Sequence, residues 1–116
     1  MSNIPTYKIP SKGYIKQGDT ISKKTVTFGG DYSGDLTTAV IKMQIFSGAT
    51  KVIDITNGSG ITVISSNVFE INEVSGSNNN LPYNQPLIGD LQITEADGIV
   101  TTYFNVEYNV IKEYTK

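Results

Sequence analysis

Only carboxylate, tyrosine and lysine side chains remain for chemistry in this chain, because its 116 residues include neither histidine nor cysteine. Serine and cysteine triads, zinc sites and the usual general base are therefore excluded. The nearest paired acids are Glu95 with Asp97 and Glu70 with Glu73, and glycosidases do use two carboxylates. Both pairs fall at predicted strand ends or turns, where acids serve solvation and turn geometry. We therefore predict that the protein is not an enzyme.

The glycine-rich loop of residues 29–35 is a second candidate, since Asp31 and Asp35 stand four positions apart in it. The loop loosely resembles a calcium-binding loop, but it lacks the run of alternating oxygen ligands and the distal glutamate. Asx-turn chemistry explains the two aspartates as well. We predict no metal and no other cofactor, and a calcium-dependent adhesion domain that uses Asp31 and Asp35 stays open as an alternative.

The tyrosines are the third candidate, because their rings could recognise a ligand and the chain has seven of them. Tyr103 is predicted on an outward strand face, where its ring could stack on a sugar or pack at a protein interface. Sugar-binding modules usually prefer tryptophan, which this chain lacks. The other reading is that Tyr108 and several other tyrosines are simply core or edge residues. A carbohydrate-binding module that uses exposed tyrosines near Tyr103 is therefore the alternative function.

Charge and hydropathy narrow the choice of partners. The net charge is −2, and the nine basic residues are all lysines without a large cluster, so phosphate-backbone binding lacks its usual electrostatic footprint. No apolar run is long enough for a signal peptide or a membrane span. We expect a protein made in a cytoplasm, with neither nucleic acid nor membrane as a partner.

A β-hairpin is predicted to carry Glu95 and Asp97, because two alternating segments meet at the Asp97-Gly98 turn. The alternation puts the following residues of the two arms on the inward face: Leu87, Gly89, Leu91 and Ile93, then Val100, Thr102, Phe104, Val106, Tyr108 and Val110. The opposite face would then carry Tyr103 to the outside.

Short alternating segments continue along the rest of the chain and predict strands at 13–17, 21–28, 38–46, 51–55, 61–64 and 68–71. About eight short strands at this spacing are typical of an all-β, two-layer antiparallel sandwich. Its core is predicted to contain Ile41, Met43, Ile45, Leu91, Ile93, Phe104 and Val106. We expect the polar segment 75–80 to be mobile and to lie outside that core.

The domain organisation is predicted as an extended N-terminal arm (1–12), a sandwich domain (13–111) and a C-terminal tail (112–116). Two prolines keep the arm extended, and Ile4, Tyr7 and Ile9 give it apolar anchors. We predict these three residues, with Tyr103, as interface residues. The alternative is a flexible terminus, since most chain ends fray.

Three segments in order carry a family resemblance: KQGDT at 16–20, GDLTTAVIKMQI at 34–45 and GDLQITEADGIVT at 89–101. They resemble the small Ig-like domain of tailed-bacteriophage virion proteins and are similar to the N-terminal domain of phage baseplate upper proteins. Most of residues 14–110 are covered. The chain departs from the family pattern at Thr38, where glycine is usual, at Gly89, where an aromatic residue usually precedes the Asp-Leu pair, and in a longer stretch at 78–85.

The resemblance implies an antiparallel Ig-like β-sandwich of about 7–8 strands and a structural role in a virion. In the family this domain commonly anchors a larger receptor-binding or fibre assembly, whereas here we expect the anchor function without the distal part. The module would decorate a head or join baseplate, tail or fibre parts. Other virion structural proteins, and further copies of the chain, are the implied partners.

Overall fold

The fold is all-β, as predicted, and a computed structural model describes residues 6–10, 14–29, 32–83 and 85–112. The strands are β1 (Thr6–Ile9), β2 (Ile15–Lys16), β3 (Lys24–Thr27), β4 (Val40–Ser47), β5 (Thr50–Asn57), β6 (Gly60–Ser65), β7 (Val68–Ile71), β8 (Leu87–Thr94), β9 (Val100–Tyr108) and β10 (Val110–Ile111). Two 3-10 helices, Leu36–Thr38 and Gly76–Asn78, are the helical elements of these ranges. The abundance of β-branched residues explains this preference for strands.

Eight strands form one mixed sheet in the order β1-β9-β8-β4-β5-β6-β7-β3, and β10 pairs with β2 in a second, two-stranded sheet. The expectation of purely antiparallel pairing is wrong, because β1 with β9, β5 with β6, and β10 with β2 are parallel pairs. At the β5–β6 corner, Gly58 and Gly60 adopt positive φ, and the chain turns aside instead of reversing into a hairpin. The long sheet curls as a result.

The core begins with the central β4–β8 pair, where Ile41 lies opposite Ile93 and Met43 opposite Leu91. All four side chains are fully buried. Gly89 lies near the start of β8, two residues before Leu91, and a Cβ there would overlap the Gln44 carbonyl oxygen of β4. The close approach of the two strands therefore excludes the aromatic residue that the family pattern has at this position.

Both halves of the curled sheet contribute to one hydrophobic cluster, since Ile61, Phe69 and Ile71 of β6 and β7 join the buried residues of β4 and β8. Six of the seven predicted core residues are buried, and Phe104 is the exception. The Phe104 ring is half-buried and packs edge-on against Tyr7, with the ring centroids 5.7 Å apart. The predicted alternation of β4 and β8 is thus confirmed.

A β-bulge changes the facing of β9. Leu91 lies opposite Phe104, but the next residue of β8, Gln92, lies opposite Thr102, which leaves Tyr103 as the extra residue. The extra residue reverses the alternation beyond it. Tyr103 is therefore turned toward the core side and is half-buried, and Val100 is 57% exposed. The prediction that Tyr103 faces outward and that Val100 and Thr102 face inward is wrong for this reason.

The N-terminal segment is part of the sheet. Residues 6–9, which we expected in an arm separate from the domain, form β1 and pair in parallel with residues 105–108 of β9. Ile9 is 1% exposed and lies in the core, while Tyr7 is half-buried on the same side of the strand. The boundary at residue 13 is therefore too late. Ile4 lies outside the described residues.

The segment 75–80 also differs from its prediction, because it contributes a buried residue. Asn79, at the end of the second 3-10 helix, is 1% exposed. Its amide nitrogen Nδ2 donates to the carbonyl oxygens of Lys16 and Asp19, at 3.1 and 2.8 Å. A polar side chain can be buried in this way when backbone groups satisfy it.

Candidate functional site

A concave site lies at one end of the sheet, between the loop that precedes β4 and the turn that joins β8 to β9. The cavity has a volume of about 450 Å³. We call it the turn cleft, and its walls carry three carboxylates, two threonine hydroxyls and one tyrosine: Asp35, Glu95, Asp97, Thr38, Thr101 and Tyr103.

The β8–β9 turn forms one wall, and its sequence explains its shape. Glu95 N–H donates to the Ile99 carbonyl at 2.9 Å, and Gly98 N–H donates to the Glu95 carbonyl at 2.9 Å. Gly98 adopts a φ of 89°, which glycine tolerates without strain. Asp97 Oδ1 accepts a hydrogen bond from Ile99 N–H at 3.0 Å. The predicted Asp97-Gly98 turn is confirmed, and its carboxylate stabilises the turn.

The opposite wall is the first 3-10 helix. Asp35 caps it, since its Oδ1 accepts from the Thr37 N–H at 3.0 Å and from the Thr37 hydroxyl at 2.6 Å. These two hydrogen bonds lower the pKa of Asp35 below its usual range. Leu36, fully buried, anchors the helix to the core. The Asp35 carboxylate is therefore ionised and held in place by the helix that it caps.

A hydrogen bond links the two walls. The Tyr32 hydroxyl donates to Glu95 Oε2 at 2.8 Å, across a sequence separation of 63 residues. Burial, followed by this contact with the Glu95 carboxylate, raises the pKa of Tyr32 above its usual value. Gly34 makes room for the pair, because a Cβ on that residue would lie 2.6 Å from the Glu95 carboxylate and the Tyr32 hydroxyl. Tyr32 is thus a proton donor in a hydrogen bond at neutral pH.

Aromatic rings connect the cleft to the core. Phe28 packs against Tyr103, Tyr32 and Phe69 with ring centroids 5.0, 4.8 and 6.0 Å apart. Tyr32 and Tyr103 meet edge-on at 6.1 Å. Phe69 is fully buried, so this aromatic cluster runs from the core to the floor of the cleft. The cluster gives the cleft a supported floor, and the site as a whole can accept hydrogen bonds from a ligand.

The structure brings together residues from all three chemical candidates of the sequence: Asp35, the Glu95–Asp97 pair and Tyr103. It does not bring Glu70 or Glu73 there. Glu70 lies on β7, with Lys23 Nζ 3.5 Å from its Oε1, and Asp31 lies outside the described residues. Sequence reasoning missed Tyr32, because its loop gave only a turn signal and its partner Glu95 is far along the chain.

Of the predicted interface residues, Tyr103 forms part of the cleft floor, Tyr7 lies on β1 and Ile9 is in the core. Within the described ranges, no group of three or more carboxylates has the geometry to hold a metal ion. Those ranges also contain no helix long and apolar enough to cross a membrane. Comparison with protein-family models and with curated protein sequences found no match to this chain.

Proposed function

We propose that this protein is a non-enzymatic structural component of a tailed-bacteriophage virion, a small β-sandwich module that decorates the head or joins baseplate, tail or fibre parts. It would act through contacts with other virion proteins and would be present in many copies. One observation carries the proposal: each of the three segments that resemble the phage domain occupies a position that shapes the fold.

The first segment, residues 16–20, contains the turn that Asn79 holds through the Lys16 and Asp19 carbonyls. The second, residues 34–45, contains the Asp35 cap and most of β4. The third, residues 89–101, contains the central part of the β8–β9 hairpin. A resemblance that includes such positions is what a shared architecture would require, since turns and caps determine where strands begin.

The finer architecture that we propose is an Ig-like sandwich. In such a sandwich strands B, E and D form one sheet and C, F and G the other. The run β3-β7-β6 supports the assignment to B, E and D, and the run β9-β8-β4 supports the assignment to G, F and C. The β5–β6 corner would then be the point where the chain crosses from one sheet to the other.

A binding or structural role fits the chemistry of the turn cleft better than catalysis. Asp35 and Asp97 are engaged in a helix cap and a turn, and Glu95 accepts the Tyr32 hydrogen bond. A general base would need a pKa near the operating pH, and the pKa of Tyr32 is raised away from neutrality. The cleft groups therefore serve the fold and leave oxygen atoms for recognition.

Purified particles test the proposal. Phage particles from the strain that encodes this chain would be banded on a density gradient, washed in high salt and analysed by quantitative mass spectrometry. We expect the protein in the particle band at many copies, cross-linked to other virion proteins and absent from particles of a gene deletion. Recovery only in the soluble fraction would contradict the proposal.

Carbohydrate binding is the second candidate, and the turn cleft is the observation that favours it. Tyr103 lies at the floor of a cavity that also presents the Thr101 hydroxyl and the Asp97 carboxylate, a combination suited to sugar hydroxyls. A glycan array, followed by saturation-transfer NMR, would test it. Asp97→Asn keeps the turn acceptor but removes the charge, and Asp19→Asn changes an exposed aspartate elsewhere as the control. Glycan binding that only Asp97→Asn weakens would support this candidate, and an empty array would oppose it.

A further inference from the structure

The outward side of β1, β9, β8, β4 and β5 forms a broad surface, and we call it the outer face. Strand register orders its side chains into four rows across the strands. The first row is Lys8, Glu107, Ile88, Phe46 and Lys51. The second is Thr6, Asn105, Asp90, Gln44 and Asp54. The third is Thr102, Gln92, Lys42 and Thr56, and the fourth is Val100, Thr94 and Val40.

Apolar side chains lie at the two opposite ends of this face. Val40 and Val100 of the fourth row are 53% and 57% exposed, and Ile88 of the first row is 54% exposed. Phe46, beside Ile88, is half-buried. A partner that covers both ends of the face would remove these aliphatic side chains from water. The rows between them are polar, so a partner must match an apolar–polar–apolar pattern.

Charge on the outer face is balanced. Lys8 and Lys42 face outward together with Asp90 and Glu107, and Lys51 with Asp54 forms an ion pair at 2.9 Å within the chain. A strongly acidic or basic partner would be favoured by a face of one sign. A face with equal numbers of both signs is instead suited to a copy of itself, because a two-fold interface must be self-complementary.

A two-fold axis that runs across the strands, between the second and third rows, satisfies this requirement. It lays the first row of one copy on the fourth row of the other, so that Ile88 meets Val40 and Val100. The same axis lays the second row on the third and brings Asp90 of each copy close to Lys42 of the other. The apolar ends are thereby covered, and the unlike charges of Asp90 and Lys42 meet, while Glu107 of the first row comes to lie at the edge of the contact, opposite Val100 of the other copy.

The size of the face agrees with a dimer. The four rows hold 17 side chains, and a spacing of about 4.8 Å between strands and about 6.6 Å between rows gives roughly 540 Å² as a flat area. Side chains raise the accessible area above that flat outline. A standard interface takes about 800 Å² from each partner, so the outer face is at the small end of this range and a weak dimer is expected.

We propose that the outer face binds a second copy of this chain, face to face, with the strands of the two copies running in opposite directions. The proposal rests on the proposed function only in that a multi-copy virion module needs a contact between copies.

Sedimentation equilibrium of the full chain over a range of concentrations tests the proposal. We expect a monomer–dimer equilibrium that Ile88→Asp weakens at least about tenfold, or ~1.4 kcal/mol, because the new carboxylate is placed against Val40 and Val100. Ile64→Asp is the matched control, since Ile64 is 55% exposed on β6, outside the outer face. Thermal melting would check that both variants are folded.

A charge exchange makes the test specific to the proposed axis. Lys42→Glu and Asp90→Lys should each weaken the dimer, and the double variant should restore it. A chain that stays monomeric at all soluble concentrations, equal effects of Ile88→Asp and Ile64→Asp, or a double variant without rescue would overturn the proposal. Monomers in solution alongside protein in particles would reject this surface only, whereas dimers absent from particles would reject the virion role only.

Discussion

The two ends of the sheet are held by polar contacts of different kinds. At the turn cleft, the Tyr32 hydroxyl and the Glu95 carboxylate bond to each other, and Tyr32 is half-buried. At the opposite end, which we call the amide end, Asn79 is almost fully buried and bonds to the backbone of the 16–19 turn. One contact joins two side chains that can rotate, and the other joins a side chain to fixed main-chain groups.

The two glycines that make room for these contacts differ in the same way. A Cβ on Gly34 would meet the ends of the Glu95 and Tyr32 side chains, whereas a Cβ on Gly76 would meet the backbone carbonyl of Gly18. Side chains can move aside at small cost, but a backbone carbonyl in a hydrogen-bonded turn cannot. The amide end is therefore the rigid end with respect to an added methyl group, whereas at the turn cleft the ends of two side chains can shift to make room for one.

Removal of the Asn79 amide should have the largest effect. Asn79→Ala removes a buried side chain and leaves the partly buried Lys16 and Asp19 carbonyls without this donor, and we expect a loss of about 2 to 4 kcal/mol in the free energy of unfolding. Urea denaturation measures it. Asn78→Ala, at an exposed neighbouring position, is the control and should change stability by less than about 0.5 kcal/mol. Equal effects of the two variants would show that the amide end is not held by Asn79.

Substitution of the two glycines by alanine should have the next largest effect on folding stability. Gly76→Ala forces the loop away from the Gly18 carbonyl and should cost about 1 to 3 kcal/mol. Gly34→Ala should cost less than about 1 kcal/mol, because Glu95 and Tyr32 can rotate. Melting temperatures of the two variants, measured side by side, test the comparison. A larger loss at Gly34 would reverse our assignment of the rigid end.

A smaller effect is expected when the Tyr32–Glu95 contact is broken. Tyr32→Phe removes the hydroxyl and should cost about 0.5 to 1.5 kcal/mol. Glu95→Gln keeps an acceptor oxygen and should cost less. A double-mutant cycle with Tyr32→Phe and Glu95→Ala isolates the coupling between the two side chains. A coupling of zero would mean that the contact does not stabilise the folded protein.

The change of folding stability at alkaline pH should be the smallest effect, and it is the most specific test of Tyr32 and Tyr108. The folded protein raises the pKa of Tyr32 through burial and the Glu95 contact, and burial raises the pKa of Tyr108. An unfolded tyrosine titrates near pH 10, so above that pH the unfolded chain loses protons before the folded protein does. Stability from these groups is complete below about pH 10 and falls as the pH rises further.

The slope of the free energy of unfolding against pH counts the protons that the unfolded chain loses before the folded protein does. Each of the variants Tyr32→Phe and Tyr108→Phe should reduce that slope above about pH 10 by up to one proton relative to the parent chain. Denaturation curves between pH 8 and about 11 measure the slope, and Tyr83→Phe, an exposed tyrosine, is the control. A slope that neither substitution changes would contradict the protonated state that we assign to both phenols.

Local sequence pattern predicted the elements that depend on neighbouring residues. The alternation of β4 and β8 placed Ile41, Met43, Leu91 and Ile93 in the core, and all are buried. The Asp97-Gly98 turn follows from the φ that glycine tolerates and from the aspartate acceptor. A period of two residues is enough for such predictions, because successive side chains of a strand must point to opposite faces.

Tertiary structure decided the features that join distant parts of the chain. The pairing of β8 with β9 contains a bulge for which the sequence has no local signal, and this bulge turns Tyr103 inward. The pairing of residues 6–9 with 105–108 makes a strand of the predicted arm, and the 16–19 turn buries Asn79. Tyr32 meets Glu95 only because the fold brings their loops together. Register and long-range pairing depend on the whole packed sheet, so a local pattern cannot specify them.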